Sequence, residues 1–196
     1  MNRDAERIPS AGPPDDELIA AAQRGDRAAF GTIVRRYQRA VYRVGWALTR
    51  NDADADDLAQ ETFVRAWGAI DRFERGAPLY PWLARITTNL AFSLFRSRRR
   101  RPETPIEPLL EAGRQFSVED DPAEHAARSE HDERLRACFA RLAPEHQAVL
   151  ALRVLQDLSY EDIARALNVP TGTVMSRLSR ARAELKRRMQ EGSSET

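Results

Sequence analysis

Residues 159–185, SYEDIARALNVPTGTVMSRLSRARAEL, form the stretch that decides the C-terminal fold. Ser159 opens a helix-capping pattern, because a serine hydroxyl at that position accepts a hydrogen bond from a free backbone N–H group. Asn168-Val169-Pro170 then breaks the helix, and Thr171 opens a second, basic helix that runs to about Met189. A capped helix, a three-residue break and a basic amphipathic helix predict a helix-turn-helix.

The second helix of this motif has one face for packing and one free face. At 100° per residue, four apolar positions fall in a narrow arc and are expected to pack on the core. They are Val174, Leu178, Ala181 and Leu185. The opposite arc consists of Gly172, Ser176, Ser179, Arg180 and Ala183. Small residues there let the backbone approach a DNA groove, where Ser176 and Arg180 suit base edges or phosphates. Arg177 and Arg187 flank the arc and suit phosphate contacts. A merely solvated basic face is the alternative, but cap, break and register together favour DNA binding.

Helical spacing also runs through residues 15–101. Apolar side chains recur every three or four positions in three long segments, which predicts amphipathic helices. These positions are Phe30, Ile33, Val34, Tyr37, Val41, Val44 and Leu48, then Leu58, Thr62, Phe63, Ala66, Trp67 and Ile70, then Leu79, Trp82, Leu83, Ile86, Leu90, Leu94 and Phe95. Asp26 is placed to cap the first segment, and a short opening helix ends near Gly25. We therefore expect one bundle of about four helices over residues 15–101.

A segment rich in proline and acidic residues, 102–128, interrupts the helical pattern. It is too long and too polar for an ordinary loop within a compact domain, so we expect a flexible acidic linker. Residues 129–190 then form the second domain, in which Pro144 suits the first turn of a helix. The fold prediction is all-α, with two small helical domains joined by this linker. The ends, residues 1–14 and 191–196, are expected to be disordered.

Composition excludes several classes of function. No apolar run has the length of a membrane span, and the polar N-terminus lacks a signal-peptide core, which predicts a soluble, cytoplasmic protein. The single cysteine, Cys138, excludes an internal disulfide and a cysteine-cluster metal site. His125, His131 and His146 lack the further ligands of a metal site. No residues have the spacing of a nucleophile and its base, so we expect neither an enzyme nor a cofactor.

The net charge of +1 conceals an uneven distribution. Residues 96–101 contain five arginines and no acid, and residues 172–188 are also strongly basic. The segment between these two patches is acidic. Such a pattern predicts two contacts with a polyanion, separated by a spacer that avoids it. For one patch alone, a solvated helix end would be the better interpretation.

Acidic and amide side chains mark the helix that ends near Ile70. Carboxylates at its start stabilise the positive end of the helix dipole. A hydrogen-bonding stripe one turn further on lies beside large aromatic residues and suits a protein-binding face. The residues of this face are Asp57, Gln60, Glu61, Phe63 and Trp67.

Aromatic residues alternate with arginines over residues 72–101. The aromatic residues are Phe73, Tyr80, Trp82, Phe92 and Phe95. Rings that receive unstacked bases and guanidinium groups that bind the backbone are typical of single-stranded nucleic-acid binding. We assign Phe92 and Phe95 to the core and leave Tyr80 and Trp82 open between core and base platform. Asn89, on the same helix as Arg85, suits the edge of a flipped-out base.

Two groups of motifs carry a resemblance to a known family. Residues 56–67, DDLAQETFVRAW, and 80–90, YPWLARITTNL, resemble the second conserved domain of sigma factors of the extracytoplasmic-function (ECF) group. Residues 142–153, 158–164 and 172–182 are similar to the fourth domain of the same group. The two sets occur in the order of the family, with a linker in place of the third domain. The resemblance implies a factor that brings RNA polymerase to a promoter and helps to open it.

The resemblance also implies a role for each set of residues. Core RNA polymerase is implied to bind Asp57, Gln60, Glu61, Phe63 and Trp67. The −10 promoter element is implied to contact the loop from Phe73 to Trp82 and Tyr80, Trp82, Arg85, Thr88, Asn89, Arg96, Arg98 and Arg99. The −35 element is implied to contact Arg153, Thr173, Ser176, Arg177 and Arg180. A separate anti-sigma factor is an implied further partner.

Three residues depart from the family pattern. Met175 stands where many members carry an arginine, so we expect one interaction with a base to be absent or to become apolar. Thr87 replaces a usual alanine, and Pro81 precedes the tryptophan, which a helix beginning there would accommodate. These changes affect the promoter sequence that is preferred and not the role.

Two other functions compete with this interpretation. A stand-alone helix-turn-helix regulator accounts for the C-terminal half but leaves the Gln60–Glu61 stripe and residues 80–101 without a use. An adaptor protein that does not bind DNA leaves Arg177 and Arg180 without a function.

Overall fold

The computed structural model describes residues 12–100 and 122–191, with side chains for residues 12–98 and 131–191. Its N-terminal module contains helices α1 (Asp15–Gln23), α2 (Arg27–Thr49), α3 (Asp52–Ala69) and α4 (Leu79–Arg100). A short 3₁₀ turn, Ile70–Arg72, follows α3. The predicted bundle of four helices is confirmed for this module, and no strand occurs in the two described ranges.

Side-chain caps set the start of the long helices. The Oδ1 atom of Asp26 accepts hydrogen bonds from the backbone N of Ala28 at 2.8 Å and of Ala29 at 3.1 Å, as the sequence predicted. At α3 the cap is Asn51, whose Oδ1 accepts from the backbone N of Asp54 at 2.9 Å. The acidic residues of α3 therefore occupy its first turns, where they favour the helix dipole.

The core of the N-terminal module lies between α2, α3 and α4. A Cβ added to Gly45 of α2 would lie 3.4 Å from the backbone of Ala55, so the glycine permits the close crossing of α2 and α3. Between α3 and α4, the hydroxyl oxygens of Thr62 and Thr87 lie 3.1 Å apart, and both side chains are fully buried. The unusual Thr87 is thus accommodated by a polar partner inside the core.

The first helix of the C-terminal part begins at Pro122, within the range predicted as linker. The helices of this C-terminal module are α5 (Pro122–Ala140), α6 (Pro144–Leu150), α7 (Tyr160–Leu167) and α8 (Thr171–Glu191). Helix α5 includes residues 122–128 of the range predicted as linker, and Pro122 occupies its first turn, where its missing N–H costs nothing. Residues 1–11, 101–121 and 192–196, which contain most of the predicted linker and ends, lie outside the described residues.

A π-helical turn, Ala151–Leu155, interrupts the chain between α6 and α7. We expected Val154 to belong to the apolar face of a continuous helix. The wider turn instead leaves this side chain 66% exposed, while Val149, Leu150 and Leu152 are buried as expected. A π turn shifts the register of the residues that follow it, which periodicity at 3.6 residues per turn does not anticipate.

The helix-turn-helix is confirmed by its caps and its break. The hydroxyl of Ser159 accepts a hydrogen bond from the backbone N of Asp162 at 3.1 Å. Asn168 ends α7 in the left-handed conformation, with φ of 54°, which asparagine adopts more readily than most residues. Ile163 of α7 and Val174 of α8 are fully buried between the two helices and the rest of the module.

Gln147 ties α6 to the end of α5. Its buried Nε2 atom lies 3.1 Å from the carbonyl oxygen of Phe139, 3.0 Å from that of Ala140 and 3.1 Å from that of Leu142. Phe139 and Ala140 are the last residues of α5 and Leu142 follows it, and carbonyls at a helix end lack the N–H partners of the helix interior. The carbonyl oxygen of Phe139 also accepts from the backbone N of Leu142 at 3.1 Å.

Replacing Gln147 by leucine keeps the size of the side chain but removes its donor from all three carbonyls, of which that of Phe139 retains the backbone N of Leu142. We expect the free energy of unfolding to fall by about 1–3 kcal/mol, the cost of burying unsatisfied polar groups. Urea denaturation of the full chain, followed by circular dichroism, measures this change. Gln38→Leu, at an exposed position of α2, is the matched control and is expected to change it by less than about 0.5 kcal/mol. Equal effects of the two variants would contradict this role of Gln147.

The two modules are in contact. Helix α7 packs against α4, and α6 with the π turn packs against α2, so that buried apolar residues of both modules form one cluster. The guanidinium of Arg50 lies 5.4 Å from the ring centroid of Phe139. Burial, together with the nearby charge of Arg136, lowers the pKa of Arg50. The helix that carries the candidate −10 residues is therefore covered on one side by the helix-turn-helix module.

Candidate nucleic-acid and polymerase interfaces

The exposed arc of α8 is the first candidate site. Val174, Leu178 and Ala181 are buried, whereas Ser179 and Arg180 are exposed, and this orientation confirms the sequence prediction. Several further residues of the helix are exposed or half-buried on the outward side, namely Gly172, Thr173, Ser176, Arg177 and Ala183. The hydroxyl of Ser176 donates to the carbonyl oxygen of Thr173 at 3.0 Å and still has its lone pairs for a DNA donor.

An ion-pair network holds the inner side of α8. The Nη2 atom of Arg188 donates to Glu184 at 2.8 Å, and Nδ1 of His146 on α6 lies 3.2 Å from the other oxygen of that carboxylate. The hydrogen bond from Arg188 lowers the pKa of Glu184, and His146 adds to this effect. The network links α8 to α6, so the orientation of the exposed arc is set by the module and not by the helix alone.

Arg153 supports the helix-turn-helix from the preceding turn. Its Nη1 atom donates to Asp157 at 3.1 Å and to the carbonyl oxygen of Leu158 at 2.9 Å, and its guanidinium lies 5.7 Å from the ring centroid of Tyr160. The side chain is half-buried. These contacts fix the entry to α7, and a phosphate contact from Arg153 would compete with them.

The exposed face of α3 is the second candidate site. Asp57, Gln60 and Glu61 are all exposed, and Glu61 accepts a hydrogen bond from Nε of Arg65 at 2.7 Å. Val64, which we did not predict, continues this stripe with 66% of its surface exposed. Its position three residues after Glu61 places it on the same helix face, and that spacing could have identified it.

Neither of the two aromatic residues assigned to this face is exposed on it. Phe63 is only 8% exposed and belongs to the core, which corrects its prediction as part of the docking face. Trp67 is half-buried, with its ring centroid 4.9 Å from that of Phe30 in an edge-to-face arrangement. The sequence could not tell these packed rings from exposed ones, because Phe63 and Trp67 fit the core period as well as the stripe.

Helix α4 presents Arg85 and Asn89 to solvent, as expected of residues that contact DNA. Two further candidates on this helix are buried. Tyr80 stacks on Tyr37 with ring centroids 5.9 Å apart, and burial raises its pKa. Thr88 is fully buried and donates to the carbonyl oxygen of Ala84 at 2.8 Å. In this conformation neither side chain reaches a base, which corrects the prediction of direct contacts for both.

Residues 73–78 form the loop that leads into α4. The predicted loop extended to Trp82, but α4 already begins at Leu79, and Pro81 lies within its first turn. Trp82 is half-buried, with its ring centroid 4.8 Å from that of the buried Phe73. Two α1 residues that we did not predict, Asp16 and Gln23, hydrogen-bond to this loop. Phe92 and Phe95 pack against the core, as predicted.

Arginines at the end of α4 extend this surface. Arg96 and Arg98 are exposed, and Arg98 donates twice to the carboxylate of Asp54 on α3, with both distances 2.7 Å. A phosphate that binds Arg98 must therefore compete with Asp54. The side chain of Arg99 lies outside the described residues.

The described residues contain neither a metal site nor a membrane span. No group of three or more His, Cys, Asp or Glu side chains within residues 12–98 and 131–191 is arranged to hold a metal ion. None of the helices in the described part of the chain is both long and apolar enough to cross a membrane.

Comparison with known proteins assigns both modules to one family. Residues 33–101 match the model of sigma-70 region 2, and residues 132–185 match the model of sigma-70 region 4. The chain is 37% identical over 193 residues to the ECF RNA polymerase sigma factor SigE of Mycolicibacterium smegmatis, covering 93% of this chain and 72% of that protein. It is 34% identical to the ECF RNA polymerase sigma-E factor of Haemophilus influenzae, covering 90% of this chain and 95% of that protein.

Solved structures agree with this assignment. The structure of CnrH in complex with the cytosolic domain of CnrY matches with a TM-score of 0.67 and 28% identity, covering 90% of this chain and 97% of the other. The sigma factor RpoE of Bartonella quintana, in complex with the anti-sigma factor NepR, matches with a TM-score of 0.66 and 25% identity. It covers 82% of this chain and 96% of the other.

Proposed function

Because this chain belongs to the ECF RNA polymerase sigma factors, we propose that it binds core polymerase through α3, the −10 element through α4 and the −35 element through α8. The observation that carries this proposal is the separation of two exposed polar surfaces. Asp57, Gln60 and Glu61 are exposed on one module, and Ser176, Arg177 and Arg180 face outward on the other. A stand-alone regulator would leave the first surface without a use.

The proposed mechanism is binding, without a catalytic step by this chain. The C-terminal module holds duplex DNA upstream, while Arg85, Asn89 and the loop of residues 73–78 take unstacked bases of one strand. Unstacking costs a few kcal/mol per step, which contacts with the captured bases offset. Opening is therefore driven by the higher affinity of the factor for the open strand. We place this activity in the cytoplasm, where the polymerase acts.

Promoter binding requires the two modules to separate. Elements centred about 35 and about 10 base pairs upstream lie roughly 85 Å apart in B-form DNA, at about 3.4 Å per base pair. Modules in which α7 packs on α4 cannot occupy both elements. The covalent length of residues 101–121 permits a span of up to about 70 Å, at about 3.4 Å per residue, to which the modules add their own dimensions.

A separate anti-sigma factor is the further partner that we propose. The two solved structures cited above contain CnrH with the cytosolic domain of CnrY and RpoE with the anti-sigma factor NepR. A partner that stabilises the packing of α7 on α4 would keep the −10 and −35 surfaces from acting together, because it shifts the equilibrium away from the open form.

Reconstitution tests the proposed function. The purified chain is mixed with core RNA polymerase, the complex is isolated by gel filtration, and run-off transcription is measured on genomic fragments. We expect a stable complex and transcripts that start at discrete sites. A chain that does not associate with core polymerase, or that binds the same fragments equally well without it, would contradict the proposal.

Met175 is expected to read a thymine methyl group in the −35 element. Its side chain lies on α8 with 55% of its surface exposed, and apolar contact with the thymine methyl is a recognised form of major-groove readout. Selection from a library with a randomised −35 region first identifies the thymine. Deoxyuridine at that position removes only the methyl group. We expect the affinity of the holoenzyme to fall about fourfold, which corresponds to the free energy of burying one methyl group. The Met175→Ala holoenzyme should not distinguish thymine from deoxyuridine. Discrimination of equal size in both proteins would contradict this role.

A further inference from the structure

Helix α1 holds the loop of residues 73–78 at several points. The Nε2 atom of Gln23 donates to the carbonyl oxygen of Ile70 at 3.0 Å and to that of Phe73 at 2.9 Å. Its Oε1 atom accepts from Nε of Arg75 at 2.7 Å. The amide thus uses both its donors and its acceptor on one short segment that lies about fifty positions away in the sequence.

A second residue of α1 completes the attachment. Asp16 lies seven positions before Gln23, which is two helical turns, so the two side chains share one face of α1. Its Oδ1 atom accepts from the backbone N of Gly76 at 3.2 Å. Gly76 has φ of 82°, a conformation that favours glycine, and the contact from Asp16 fixes the loop at this bend.

These contacts do more than terminate α3. The carbonyl oxygen of Ile70 already accepts from the backbone N of Phe73 at 3.0 Å, and Phe73 lies beyond the 3₁₀ turn, so the bonds from Gln23 are not needed to complete a helix end. The bond to the exposed Arg75 serves no helix end, and it sets the direction of a cation on the loop. Phe73, whose carbonyl is bound by Gln23, also contacts the ring of Trp82. The amide of Gln23 therefore contacts the backbone of Phe73 at the start of the loop and one cation of the loop, Arg75.

We propose that Gln23 is a positioning residue for capture of the unstacked −10 base, so that α1 forms part of the −10 reader. This inference rests on the proposed function. A loop that is already ordered loses less conformational entropy on binding a base, and pre-organisation of this kind raises affinity without a new contact to the ligand. Gln23 acts through the loop and does not itself touch DNA.

The test uses holoenzyme assembled from the full chain and core polymerase. The probe is a fork-junction DNA with a duplex −35 region and a single-stranded non-template −10 region, with its sequence taken from a selected promoter. Gln23→Leu keeps the size of the side chain and removes its hydrogen bonds. We expect it to weaken binding of the fork about tenfold, the effect of releasing an ordered loop. Binding to core polymerase and to −35 duplex should be unchanged.

An abasic nucleotide separates positioning from general destabilisation. When the captured base is removed, wild-type and Gln23→Leu holoenzymes should bind the fork equally well, because the loop then has no base to hold. Asp16→Ala changes an exposed residue and should give the same pattern with a loss of about threefold, since one loop contact of several is removed. Arg24→Gln, at the exposed residue after Gln23, is the control and should match wild type.

The outcomes distinguish this inference from the proposed function. If wild-type holoenzyme does not bind the fork at all, the proposed function fails. The positioning role of Gln23 is overturned, and the proposed function stands, in either of two cases. In the first, Gln23→Leu and Asp16→Ala holoenzymes bind the intact fork as well as wild type does. In the second, they bind the abasic fork more weakly than wild type by the same factor as the intact fork.

Discussion

Replacing Arg177 and Arg180 of α8 together by alanine is expected to abolish −35 recognition by the holoenzyme. Each guanidinium that binds a base or a phosphate contributes about 1–3 kcal/mol, so the double variant should lose at least about 30-fold in affinity for −35 duplex DNA. Both side chains lie on the outward side of a helix whose other side is buried, and their removal should leave the fold intact. Filter binding with assembled holoenzyme measures the effect.

Arg182→Ala is the matched control for this variant. Arg182 is exposed on the same helix but lies about 200° around the helix axis from Arg180. Its replacement should change affinity by little, whereas the double variant should also reduce the dependence of binding on salt, by about one counterion for each phosphate that is no longer bound. If Arg182→Ala weakened binding as much as the double variant, recognition would come from general positive charge and not from the predicted face.

Reversing the charge of Glu61 is expected to prevent assembly with core RNA polymerase. Glu61 lies at the centre of the exposed stripe of α3, between Asp57 and Val64. An arginine at this position replaces an acceptor by a donor and leaves Arg65 without its partner, so like charges meet at an interface that requires a carboxylate. Removal of a central interface residue costs about 2 kcal/mol or more, which corresponds to at least about a 30-fold weaker complex.

Asp56→Arg supplies the same charge change five residues earlier. Asp56 is exposed at the start of α3 and lies about 140° around the helix axis from Glu61. Association is measured by fluorescence anisotropy of labelled chain titrated with core polymerase. We expect Asp56→Arg to bind nearly as well as wild type. Equally weakened binding by the two variants would point to the net charge of α3 and away from a defined docking face.

The features that the sequence predicted correctly are set by local signals. Asp26 and Ser159 cap their helices through backbone N–H groups two or three residues away, so the residue type and its place suffice. The buried and exposed sides of α8 follow from the period of one helix that has a single apolar face. In each case the interaction lies within one or two helical turns of the residue that indicates it.

The features that the sequence prediction missed depend on contacts between residues that are far apart along the chain. α4 is packed on several sides, so its period could not tell that Tyr80 would stack on Tyr37, or that Thr88 would be buried, while Arg85 and Asn89 remain exposed. The bonds from Gln23 to the loop join residues about fifty positions apart. The start of α5 was missed for a different reason, since residues 123–128 favour a helix but offer no large apolar residue to reveal its period.

Permanganate reactivity of a promoter, measured with and without each component, tests most directly whether this chain couples polymerase binding to strand opening. We expect unpaired thymines around the −10 element only when the chain, core polymerase and promoter are present together, with protection of the −35 region in the same complex. Opening by core polymerase alone, or upstream protection that never leads to unpaired thymines, would contradict this coupling.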